Sequence, residues 1–202
     1  MNGGVDLYWL PLGAGGHSVR FNGRVYEALV ATVERRKRCD LYHSALEVRT
    51  ADGRFVVEMT PVVGGGGHSH GAVAGGAVGS RLLGRMSLFR YEVRCWPDGE
   101  IPDAAEAVES PRLLSGDPAL AQRILDLVPL VPTPTWGRDE LGTGHMWNSN
   151  SLVSWLLVSA GFAAQQVLLP GGGRAPGWEA GIAVARRGPA PPAFAPDGVL
   201  QA

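Results

Sequence analysis

The sequence predicts an α+β protein in which an antiparallel sheet packs against a buried helix. Three observations lead there. Residues 41–48 and 54–59 both alternate apolar and polar side chains, and the Asp52-Gly53 pair between them suits a hairpin turn. Residues 141–173 contain no Asp, Glu, Lys or Arg, yet hold Asn148, Asn150, Gln165, Gln166 and four serines. That reads as a buried helix with its flanks, because a membrane span needs about 20 consecutive apolar residues. The strand patterns are antiparallel and the helices segregated from them, as in α+β folds, and no internal repeat is visible.

Length and composition bound the rest. At 202 residues, 45% of them hydrophobic, the chain has one-domain size and enough apolar content for a core. Gly (29) and Pro (15) are concentrated in a few stretches. The expected organisation is one domain over residues 1–186, with a glycine-rich loop at 64–80, and a disordered tail at 187–202. A formal net charge of -1 argues against nucleic-acid binding by bulk electrostatics and against a polybasic membrane-surface protein. Residues 1–16 lack a basic n-region, and Asp6 and Pro11 interrupt their apolar run, unlike a secretory signal. Cys39 and Cys95 form neither a disulfide framework nor a zinc spacing. A cytoplasmic location is the expectation.

In chain order, residues 5–12 read as a strand ended by Gly13-Ala14-Gly15-Gly16. Asn22 can cap a helix over 24–36, with Val25, Leu29, Thr32 and Val33 on one face and the basic run 35–38 at its negative end. The hairpin follows. Residues 61–80 are glycine-dense and read as a long mobile loop, and 86–96 return to a strand pattern. Asp117-Pro118 marks a helix start, a cap and then a proline in the first turn, with Leu120, Ile124, Leu127 and Val128 as its buried face. Three prolines make 129–139 extended. The cluster Asn148-Ser149-Asn150-Ser151 opens an apolar helix ending near Gly161, and 165–169 and 179–185 look like closing strands.

Three segments could carry chemistry. The run Gly64-Gly65-Gly66-Gly67-His68-Ser69-His70-Gly71 has no lysine for a phosphate loop and no surrounding βαβ unit for a dinucleotide. His68 and His70 alone fall short of the three or four ligands of a zinc site, so no metal and no cofactor is expected. His43 opens a strand, and pairing across the turn brings Glu58 close to the level of His43 and Ser44. A carboxylate there can fix an imidazole's tautomer and stabilise its protonated form; a core histidine beside an edge-strand glutamate is the other reading. The third segment is Gly144-His145-Met146-Trp147-Asn148-Ser149-Asn150-Ser151-Leu152. A nucleophile at a helix start gains from unpaired backbone N–H groups, which can also bind an oxyanion. Capping accounts for one of its four polar residues. Trp136, Arg138, Asp139 and Glu140 precede that helix, and Arg174-Ala175-Pro176-Gly177-Trp178 follows it. An Arg beside a Trp can recognise a carboxylate or a planar group, and a loop pinned by its aromatic residues is the alternative.

This order of parts resembles the circularly permuted papain-like families: permuted NlpC-type peptidases, the lecithin:retinol acyltransferase group and the PPPDE peptidases. Tyr42-His43-Ser44-Ala45-Leu46-Glu47-Val48 resembles their His strand. Asn148-Ser149-Asn150-Ser151-Leu152 resembles their Asn-Cys-Asn helix start, with Ser149 where the cysteine stands. The likeness covers about half the chain, in two separated pieces. It implies a serine-type amide or ester hydrolase, or an acyltransferase, acting on a small-molecule or peptide substrate. Ser149 would be nucleophile, His43 general base, Glu58 the orienting acid, and Asn148 or helix-start amides the oxyanion donors. Trp147, Asn150, Arg174 and Trp178 would line the groove. A hydroxyl is far less acidic than a thiol, so His43 would have to take its proton during attack. The alternative is a catalytically silent relative that binds a peptide, acyl or protein ligand in the same groove.

Overall fold

The computed structural model describes residues 3–12, 39–62, 71–86, 89–101 and 103–188. The helix expected over 24–36, the His68 and His70 pair and the end of the tail lie outside them. Alternation builds the sheet. Strands β1 (Gly4–Pro11), β2 (Tyr42–Thr50), β3 (Gly53–Pro61), β4 (Ala72–Ala77), β5 (Arg90–Pro97) and β6 (Arg112–Ser115) form one six-stranded sheet in the order β4-β5-β3-β2-β1-β6. Every neighbouring pair is antiparallel. The hairpin lies where Asp52-Gly53 puts it, since Thr50 faces Gly53 across the turn.

Side chains one residue apart on a strand point to opposite faces. Trp9, Leu46, Val57 and Val93 fall on one face and enter the main core. Leu10, Ala45 and Val56 fall on the other and pack with Ile101 in a smaller cluster. Helices α1 (Pro118–Leu127), α2 (Ser149–Ser159) and α3 (Trp178–Arg186) bring their buried residues to the first face. Asp117 caps α1 by accepting from Ala119 N at 2.8 Å, and Leu120, Ala121 and Ile124 are its buried side. The fold is α+β, an antiparallel sheet against helices that include a buried one. Among the described residues no helix is long and apolar enough to cross a membrane.

Four expectations change. Residues 179–185 are helix, not strand: Trp178, Gly181, Ile182 and Ala185 recur at i, i+3, i+4 and i+7, a helical stripe that a short apolar run can disguise as alternation. Residues 165–169 give no strand either, but the 3-10 turn Ala164–Gln166. Part of the expected loop 61–80 is strand β4. Its Gly76 lies against the ring of buried Tyr91, where an added Cβ would stand 2.7 Å from Cε1, so glycine here marks close packing. In the expected extended stretch, Val128–Leu130 forms a 3-10 turn, and Trp136 bridges to Val78 beside β4.

Candidate functional site

The four polar residues that open α2 are almost wholly committed to structure. Asn148 caps the helix, accepting from Asn150 N at 2.9 Å and Ser151 N at 3.3 Å, while its Nδ2 donates to Pro176 O at 2.8 Å. Ser151 completes a capping box by accepting from Asn148 N at 3.1 Å and donates to Gly177 O at 2.7 Å. Asn150 joins the helix to the sheet: its Nδ2 donates to Tyr42 O and to Pro176 O, both at 2.9 Å, and its Oδ1 accepts from Ser44 Oγ at 2.9 Å. Only Ser149, also buried, makes no side-chain hydrogen bond among the described residues.

The β2 residue that meets this helix start is therefore Ser44, and His43 points the other way. Trp9, the cross-strand partner of Ser44, lies in the main core. Leu10, the partner of His43, lies in the cluster on the opposite face. The sheet stands between the His43 ring and the face on which α2 packs, so the expected Ser149–His43 pair is not assembled. Asn148, the expected oxyanion donor, is a helix cap, and Asn150, expected to line the groove, is a structural bridge. Trp147 is core at 1% exposure, and Trp178, at 8%, is core as well: it packs on Trp9 with ring centroids 5.1 Å apart and donates from Nε1 to Ala164 O. Arg174 is exposed, whereas Trp178 is buried.

The second face of the sheet holds the unusual electrostatics. Arg49 pairs with Asp6 and, at 2.9 Å, with Glu47, which also takes Arg54 at 3.0 Å. Farther across, Glu58 on β3 faces Arg94 on β5, with Glu92 on the same side. Glu58 Oε1 stands 3.8 Å from Arg94 Nη1, and Arg94 Nε stands 3.6 Å from Glu92 Oε2, both beyond hydrogen-bond length. Glu58 Oε1 and Arg94 Nε are enclosed with no hydrogen-bond partner. Each such orphan costs about 1–3 kcal/mol. Burial pushes the Glu58 carboxyl above its ordinary range, and Arg94 draws it partly back. The Arg94 guanidinium lies 6.0 Å from the Trp96 ring centroid.

Glu58 shares this face with His43, as the hairpin required, but its charged neighbour is Arg94. Burial lowers the His43 imidazole to about 4, with Asp103 pulling against that shift. Glu92 and Arg94 had no signal in the sequence, because the pairing of β5 with β3 is not set by a short turn. Among the described residues no cluster of three or more His, Cys, Asp or Glu is placed to hold a metal ion. Comparison of the chain with protein-family models, with curated proteins and with solved structures finds no match in any of the three.

Proposed function

We propose that this domain binds a small-molecule or peptide ligand at the second face of its sheet and does not work as a Ser–His hydrolase. The observation that carries the reading is the pair of enclosed, unpartnered polar atoms, Glu58 Oε1 and Arg94 Nε. Folding alone does not favour leaving a carboxylate oxygen and a guanidinium N–H unpaired in the interior. The indole N–H groups of Trp9 and Trp147 are enclosed without a partner too, but Glu58 and Arg94 can carry charge, whose burial costs far more, and a bound group would supply the missing partners. On this reading the chain is a catalytically silent relative of the permuted papain-like group, keeping the His strand and the polar helix start without the catalytic pair. A cytoplasmic location belongs to the same proposal and is supported by Cys39 and Cys95, which form no disulfide.

Two measurements test it. A fluorophosphonate serine probe should leave Ser149 unlabelled in the folded protein; labelling lost in His43→Ala would restore the hydrolase. The second is a stability measurement. Replacing Glu58 and Arg94 together by methionine should be neutral or stabilising, by about 1–4 kcal/mol, as when other loosely paired buried ions are exchanged for apolar side chains. A loss of more than about 2 kcal/mol in urea denaturation would make the cluster a structural ion pair and remove the support for binding.

A further inference from the structure

We propose that the turn after β4 is a docking surface for an anionic lipid membrane, with Leu82 and Met86 entering the interface and Arg85 and Arg90 meeting the headgroups. The inference is independent of the ligand reading at Glu58 and Arg94. A net charge of -1 hides an uneven distribution: no Asp or Glu occurs between Glu58 and Glu92, while Arg81, Arg85 and Arg90 fall in that stretch. Arg81 is already neutralised, since its Nε and Nη2 donate to Glu140 at 2.9 and 3.0 Å. Arg85 and Arg90 are exposed and form no ion pair among the described residues. Beside them, Leu82 is 75% exposed and Met86 56%.

Packing gathers these residues at the β4 edge of the sheet. Leu83–Arg85 form a 3-10 turn, and an added Cβ on Gly84 would stand 2.6 Å from Ala77 Cβ, so the turn seats directly on β4. Ala77 pairs with Arg90 across the sheet, which puts both side chains on the second face, where the turn lies. Phe89 N donates to Met86 O at 3.0 Å and leads the chain back into β5. Aliphatic side chains held out in water beside cations without a counter-charge make up an interfacial anchor. The apolar tips enter the acyl boundary, and the arginines reach the headgroup phosphates. A peptide would need a groove to hold it, whereas Leu82 and Met86 are open to water. An anionic leaflet supplies the charge the arginines lack, and each is worth about fivefold in affinity.

The test is sedimentation of the full chain with vesicles of equal parts phosphatidylglycerol and phosphatidylcholine, and with vesicles of phosphatidylcholine alone. The protein should sediment with the anionic vesicles and not with the neutral ones, and about 0.5 M salt should weaken the binding. Arg85→Gln and Arg90→Gln should each weaken it about fivefold, and Leu82→Gln combined with Met86→Gln at least tenfold. All four positions are exposed, so the variants should keep the native circular dichroism. Leu113→Gln, at an exposed leucine on β6 at the opposite edge of the sheet, should change nothing. An equal loss in Leu113→Gln would reduce the effect to general apolar contact and overturn the surface. Loss in the arginine variants alone, with the Leu82 and Met86 variant binding like the parent, would mark a site for a soluble anion or an acidic protein and overturn the membrane. Failure to sediment with the anionic vesicles overturns it outright.

Discussion

Gly181→Leu is expected to undock α3 from α2 and abolish a single cooperative unfolding transition, and Gly181→Ala to lower the melting temperature. Gly181 sits where the two helices cross, and a Cβ placed there would overlap Ser151 O and Ser154 Oγ and stand 2.8 Å from Trp155 N. Two of these three atoms are backbone, so the contact cannot be relieved by turning a side chain. The hydrogen bonds at stake lie in the same seam. Ser151 Oγ and Ser154 Oγ donate to Gly177 O and Trp178 O, each at 2.7 Å, and Asn150 Nδ2 donates to Pro176 O. Forcing one methyl group into a well-packed core costs about 1–3 kcal/mol. At about 2–4 °C per kcal/mol for a chain of this size, Gly181→Ala should melt roughly 2–12 °C lower. Glu179→Leu, at an exposed site on the same helix, should change stability by no more than about 0.5 kcal/mol. Calorimetry of the three variants checks the ordering, and a native-like melting temperature in Gly181→Leu would refute the crossing.

The same glycine shows where sequence reasoning ran out. Local chemistry was legible: the Asp52-Gly53 hairpin and the Asp117-Pro118 helix start stand where residue preference put them, and the cap expected from one of the four polar residues at 148–151 falls on Asn148. Seven of the nine residues of α3 were misread because Gly181 and Ala183 interrupt the large side chains, leaving Ile182 and Val184 to mimic a strand. Only the neighbouring helix explains why a glycine is tolerated there. The candidate site failed on parity. Leu46 and Val48 are the large apolar residues of β2, so their face is the core face, and Ser44 shares it while His43 goes with Glu47 and Arg49. A one-residue step along a strand exchanges the two faces, which is enough to replace an imidazole by a hydroxyl opposite the helix start. The four polar residues of that helix start looked like more than a cap requires, and they are: Asn150 and Ser151 tie α2 to β2 and to the segment before α3. Those long-range partners are not visible in a linear sequence.

Lowering the pH from 6.5 to about 4 is expected to destabilise the protein through His43. Its imidazole is held near 4 in the fold, against 6.5 when unperturbed. Between those values the unfolded chain takes up a proton that the folded protein refuses, so stability is fully present above about 6.5 and is lost as pH falls towards the folded value. The shift corresponds to a contribution on the order of 3 kcal/mol at most. Burial causes it: Leu10 is the cross-strand partner of His43, Ala45 shares its face, and the opposing charge of Asp103 is too weak to restore the ordinary value. Other groups act differently. The carboxyl of Glu58 is raised and therefore favours the fold as pH falls, whereas Glu140, held down to about 2 chiefly by Arg81, loses its contribution only below about 4.5. His43→Phe separates these effects. Urea denaturation at pH 7, 5.5 and 4 should show a smaller loss of stability in the variant, by up to about 3 kcal/mol over the range. The His43 ring carbon resonance of the parent protein should titrate with a midpoint near 4. A midpoint near 6.5 with unchanged pH dependence in the variant would place the ring in water. A midpoint near 4 also bears on chemistry, because a general base works best with its value near the operating pH. Turned from the helix start and reluctant to hold a proton, His43 is doubly unsuited to activate Ser149.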